Sequence, residues 1–156
     1  GILEREGLWA ALDAAVTQDK KPFMGICVGM QLLFERGLEF GEHAGFGWLQ
    51  GEVSALKDRL PEDSTLKIPH MGWNSLEIHT PHPIAAGLEH GEHMYFVHSY
   101  AATGLASDTL IASSTYGVAL PAIVGKGNVV GTQFHPEKSQ RAGQILLSNF
   151  IQWTPQ

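Results

Sequence analysis

One cysteine occurs in the 156 residues, and it stands within Gly25-Ile26-Cys27-Val28-Gly29-Met30-Gln31. A thiolate is a strong nucleophile toward acyl carbon, and the order G-x-nucleophile-x-G is that of a nucleophile elbow. The layout calls for a strand, Pro22 to Ile26, running into the nucleophile, and a helix, Met30 to Arg36, leaving it and stopping at Gly37. Glycine on both flanks lets strand and helix pack closely. The start of the helix adds partial positive charge and free N–H groups, both of which favour thiolate over thiol. The expected chemistry is acyl transfer; the competing reading is an inert core cysteine.

A base is needed, and the other end of the chain offers one in Val129-Val130-Gly131-Thr132-Gln133-Phe134-His135-Pro136-Glu137-Lys138-Ser139. The apolar run reads as a strand that Pro136 breaks. His135 and Glu137 share a face in extended backbone. A carboxylate there accepts the Nδ1 proton and leaves Nε2 free to take a proton from a thiol. The alternative is a strand-end histidine beside a solvated glutamate. His98 is a rival base with no carboxylate near it in sequence.

The Gly-Ile-Cys-x-Gly-x-Gln string followed by Gln-Phe-His-Pro-Glu resembles the triad-type (class I) glutamine amidotransferases. Met30-Gln31-Leu32-Leu33-Phe34, Pro69-His70-Met71-Gly72-Trp73-Asn74, Tyr95-Phe96-Val97-His98-Ser99-Tyr100 and the closing Lys138-Ser139 are similar to the branch that serves imidazole glycerol phosphate synthases. The likeness runs from about Gly1 to Trp153. It implies an α/β fold, a central mixed sheet with flanking helices, in one amidotransferase domain covering residues 1–156. It also implies a longer protein, with roughly 50 residues ahead of Gly1 that hold the first strands and a glycine-rich loop.

The resemblance assigns roles. Cys27 attacks the side-chain amide of glutamine, His135 shuttles protons and Glu137 orients it. The oxyanion forms at the Val28 N–H, the second donor being expected from the glycine-rich loop. Gln31, one helical turn from Cys27, faces the pocket with Val28 and Gly29, and main chain near Ser99 and Tyr100 holds the substrate. No cofactor is implied. Ammonia would pass to a cyclase subunit with a (βα)₈ barrel in a heterodimer, with Trp73, Tyr95, His98 and Lys138 as contact candidates. Other readings stay open: another class I amidotransferase, a γ-glutamyl hydrolase, or an inactive partner-binding fragment.

These residues need scaffolding. Leu8, Leu12, Ala15 and Val16 lie at helical spacing and suggest a surface helix over a sheet. Strands are expected near Trp48 to Ala55, Met94 to Ser99 and Thr109 to Ser113. A hairpin is expected from Ala122-Ile123-Val124 to Val129-Val130 across residues 125–128. Ser139 is a plausible N-cap for a closing helix bearing Ile145, Leu146, Asn149 and Phe150. His79, His82, His90 and His93 form two H-x-x-H pairs, but no cysteine accompanies them and a solvated loop is the expected reading, with no metal. A net charge of -6 argues against nucleic acid. No apolar run approaches membrane-spanning length. The single thiol fits a reducing, cytoplasmic setting.

Overall fold

The computed structural model describes residues 2–155. In chain order these form α1 (Ile2–Thr17), β1 (Phe23–Ile26), α2 (Val28–Gln31), β2 (Arg36–Gly37), β3 (His43–Ala44), β4 (Glu52–Ala55), β5 (His70–Ser75), β6 (Glu77–Ile78), β7 (His93–His98), β8 (Tyr100–Thr103), β9 (Leu110–Tyr116), β10 (Val118–Lys126), β11 (Val129–Thr132) and α3 (Gln140–Gln152). Single 3₁₀ turns interrupt the loops at Leu56–Asp58, Pro83–Ala85 and Pro136–Lys138. The main sheet has the order β1-β11-β10-β9-β6. β1 runs parallel to β11 and the remaining pairs are antiparallel, so the sheet is mixed. A second sheet is ordered β3-β2-β4-β8, and β5 with β7 makes a separate two-stranded ribbon.

The parallel pair positions the chemistry. Ile26 is registered with Thr132, and the Cys27 N–H donates to the Thr132 carbonyl at 2.7 Å. The ends of both strands, one leading to Cys27 and the other to His135, thereby reach the same edge of the fold. Apolar side chains hold the sheet on both faces. Met94, Phe96, Ile111, Ile123, Val130, Phe134 and Leu146 fill one cluster, which α3 closes. Met30, Leu33, Phe34, Leu49, Val53 and Val124 fill the other.

Several expectations need correction. The helix after Cys27 is one turn, Val28–Gln31, and does not reach Arg36. The carbonyls that would continue it are taken by distant donors: Phe46 N on Leu32, Leu49 N on Leu33, Gly47 N on Phe34 and Gly45 N on Glu35. Tertiary pairing overrides a good helical sequence and turns residues 36–37 into strand. α1 does not lay its spaced apolar residues on the sheet. Leu8 is 63% exposed, and of the four spaced residues only Val16 is buried. The helix is pinned instead by Trp9 stacked on Phe46, by Phe46 stacked on Trp48, and by the Trp48 indole N–H donating to Asp13 at 2.7 Å. The expected strand around 48–55 is confined to β4. The β10–β11 turn is tighter than expected: Lys126 pairs with Val129, leaving Gly127 and Asn128 as the loop, with Gly127 at φ +59°.

Candidate active site

Cys27 sits between β1 and α2 with φ 54° and ψ -107°. Positive φ is costly for a residue with a Cβ and persists only where the surroundings enforce it. Here β1, anchored on β11, and the turn of α2 fix the backbone on both sides. The flanking glycines are not equivalent. A Cβ on Gly25 would press on the Gly29 carbonyl and lie 2.7 Å from Met30 N, whereas one on Gly29 would meet nothing within 4 Å. Close packing of strand and turn therefore depends on Gly25 alone.

Among the described residues the hydrogen bonds at Cys27 Sγ are with the Val97 carbonyl, 3.7 Å away, and the Gln133 amide nitrogen, at 3.8 Å. His135 is not among these partners. Burial pushes the Cys27 thiol above its ordinary value; the Val28 N–H and the Gln133 amide pull it down, and the Glu137 charge pushes it up. The expectation that the helix start favours thiolate is thus outweighed. A one-turn helix has little dipole to offer, while desolvation acts on the whole sulfur. Burial thus holds the sulfur toward the thiol form.

His135 follows β11 and enters the Pro136–Lys138 turn. Its Nδ1 lies 2.6 Å from Glu137 Oε1. With the carboxylate accepting, Nδ1 carries the proton and Nε2 is left as an acceptor. The backbone of His135 is fixed at both ends: its N–H donates to the Tyr95 carbonyl at 2.9 Å, and its carbonyl accepts from Ser139 Oγ at 2.7 Å. Ser139 is not the side-chain cap that its position before α3 suggests. It also accepts the Tyr95 N–H at 2.9 Å, so it links the ribbon to the histidine.

Gln31 ends α2, and its amide nitrogen donates to the Tyr100 carbonyl at 3.2 Å and to Gln133 Oε1 at 3.4 Å. Val28 is 63% exposed. With Gln31 it lines a cavity of about 380 Å³ that extends past Leu32, Leu38, Phe40 and His43. Gly29 and Ser99 are half-buried and do not line this cavity. Gln133, buried and touching the sulfur, was not anticipated. Its place in Gln-Phe-His-Pro-Glu is the only trace of it in the sequence.

The contact candidates separate. Trp73 is 48% exposed and packs edge-on to Tyr95, its partner in the β5–β7 register. Lys138 is exposed. His98 is 5% exposed and buried beside His70, and its two ring nitrogens are taken by His70 and the Tyr100 carbonyl, so it is not a surface contact and has no ring nitrogen turned to Cys27. Three of the four H-x-x-H histidines make separate local bonds: His79 to Ser113, His82 to the Ile84 N–H, His90 to the Ile78 N–H. Among the described residues no three His, Cys, Asp or Glu side chains are grouped to hold a metal. No described helix is long and apolar enough to cross a membrane.

Comparison with known proteins shows the family. A family model described as glutamine amidotransferase class-I matches residues 4–153. A Cereibacter sphaeroides protein, imidazole glycerol phosphate synthase subunit HisH, is 50% identical over 149 residues, covering 96% of this chain and 69% of that protein. The protein of the same name from Bacillus licheniformis is 48% identical over 153 residues, covering 98% and 71%. A solved structure described as a glutamine amidotransferase superposes with TM-score 0.65 at 21% identity over 97% of this chain and 72% of that one, a likeness of fold. With the family model spanning nearly the whole chain and relatives at this identity, the chain belongs to the class-I glutamine amidotransferases.

Proposed function

We propose that this chain hydrolyses the side-chain amide of glutamine through Cys27, His135 and Glu137, as one amidotransferase domain, and that the ammonia feeds a cyclase subunit of (βα)₈ form in histidine biosynthesis. The observation that carries the reading is the parallel β1–β11 pair, with the Cys27 N–H on the Thr132 carbonyl. It brings a strained cysteine and a carboxylate-bound histidine to one edge. In the reaction His135 Nε2 takes the thiol proton as sulfur attacks the amide carbon. The Val28 N–H, next along the chain and at the start of α2, stabilises the oxyanion. His135 then protonates departing ammonia and activates water against the thioester. Glu137 holds the imidazole in the required tautomer and stabilises its charged form. Gln31 and main chain at Gly29, Ser99 and Tyr100 contact the substrate. Trp73, Tyr95 and Lys138 lie on the face offered to the cyclase, and the lone thiol suits work in the cytoplasm.

The test is Cys27→Ser in the complete protein with its cyclase. Glutamine-dependent synthesis should fall more than about 1,000-fold, while synthesis from added ammonium continues. Retained glutamine hydrolysis would remove Cys27 from the role of nucleophile. Hydrolysis at full rate without the cyclase would favour a free-standing γ-glutamyl hydrolase.

A further inference from the structure

Two buried histidines lie outside the chemistry just described. His70 on β5 and His98 on β7 face each other in register, 2% and 5% exposed, with His70 Nδ1 2.9 Å from His98 Nε2. Neither is close in sequence to Cys27, and His70 is stacked on Phe96 and on Tyr116, at 4.7 and 4.2 Å between centroids.

Their hydrogen-bond directions are determined from outside the pair. Asn74 Oδ1 accepts the Ser75 N–H at 2.8 Å, so the Asn74 amide nitrogen is the group turned to the Thr115 carbonyl, at 2.8 Å, and to His70 Nε2, at 3.2 Å. His70 Nε2 must then accept, and Nδ1 carries its proton. That proton goes to His98 Nε2, which leaves His98 Nδ1–H for the Tyr100 carbonyl at 2.9 Å. The Tyr100 carbonyl also accepts from Gln31 Nε2. The second Gln31 hydrogen goes to Gln133 Oε1, and Gln133 Nε2 reaches Cys27 Sγ. A single line of donors and acceptors thus runs from Asn74 on the ribbon to the sulfur, and each member fixes the orientation of the next.

We propose that His70 and His98 are positioning residues: by holding the Tyr100 carbonyl, they set the Gln31 amide with both hydrogens inward and its oxygen as the acceptor available to substrate, and through Gln133 they aim an N–H at the sulfur. The proposal rests on the glutaminase reading for what Gln31 meets, but the wiring itself is independent of it. Without the His98 N–H, the Tyr100 carbonyl loses one of its two side-chain donors and Gln31 loses a fixed anchor. The loss falls first on Gln31, which the anchor holds directly, and so on substrate binding more than on the sulfur two bonds further along the line.

The test compares His98→Leu with His98→Asn in the complete protein bound to its cyclase. Asparagine places an amide N–H where Nδ1 stood and restores the donor to Tyr100. His98→Leu should raise KM for glutamine about tenfold, the worth of one well-placed hydrogen bond, with kcat little changed; His98→Asn should recover most of the KM. Equal losses in both variants, or a loss confined to kcat, would overturn the proposal. Should the leucine variant not fold, the ¹⁵N imidazole shifts of the unmutated protein decide instead. Both His70 and His98 should show the Nδ1–H tautomer, and Nε2–H at either one overturns the wiring. That measurement needs no turnover, so an unmutated protein that releases no ammonia from glutamine would count against the functional reading and leave the wiring to the spectrum.

Discussion

The hydroxyl of Ser139 donates to the carbonyl of His135 at 2.7 Å and receives the N–H of Tyr95 at 2.9 Å. One small side chain therefore joins the outer ribbon to the backbone of the proposed base. Ser139→Ala should cost about 1–3 kcal/mol of stability, because the Tyr95 N–H loses its acceptor and the His135 carbonyl keeps only the Lys138 N–H of its two donors. It should also lower glutamine hydrolysis about 10- to 100-fold by loosening the imidazole. Chemical denaturation together with steady-state kinetics checks both; a variant that is destabilised yet fully active would show that Ser139 does not position His135.

The glycines on either side of Cys27 should respond in opposite ways. Gly25→Ala drives a methyl group into the Gly29 carbonyl and should destabilise by at least about 2 kcal/mol, as backbone clashes do. Gly29→Ala enters open space on a helical turn and should be neutral or stabilising by up to about 1 kcal/mol. Thermal midpoints of the two variants give the answer, and similar losses in both would refute the asymmetry.

Acid should weaken the fold through His70. Desolvation and the neighbouring His98 hold its pKa down to about 4, against 6.5 when free. Above pH 6.5 the group is neutral in both states and contributes nothing to the pH dependence. Between 6.5 and 4 the unfolded chain takes up a proton that the folded one refuses, so stability falls as pH falls, by about 3 kcal/mol in all. Below that window both states are protonated and the His70 contribution levels off. His98 is displaced in the same direction, mainly by burial, and adds to the slope. Denaturation midpoints across this range should fall less steeply in His70→Gln; equal slopes would show that His70 is not responsible.

The sulfur should alkylate slowly at neutral pH. Burial raises the thiol pKa more than the Val28 N–H lowers it, so the iodoacetamide rate should rise with pH to a midpoint above that of a free cysteine. A midpoint near or below the free value would mean that thiolate already dominates at rest.

The two ends of the candidate site were legible in sequence because each is a local matter. A glycine-flanked cysteine after an apolar run encodes its own turn, and His135-Pro136-Glu137 brings a carboxylate to an imidazole within three residues. What joins the two ends was not legible. The length of α2 is set by donors at Gly45, Phe46, Gly47 and Leu49 that seize its continuing carbonyls, and no helical periodicity reveals them. The β5 strand carries Gly72 at φ +119°, which breaks the alternation that would have marked it. The His70–His98 contact arises from strand register across 28 positions, and Ser139 looks like a cap until the ribbon reaches it.

Cys27 has a backbone geometry that suits a residue without a side chain. Glycine there would relieve the strain of φ 54° and remove the sulfur together with its desolvation. Thermodynamic fitness and chemistry therefore pull this position in opposite directions. A library screened for foldedness alone should drift toward glycine at Cys27, while one screened for ammonia release should hold it fixed; the gap between the two outcomes measures what the fold surrenders to keep a reactive atom at the end of β1.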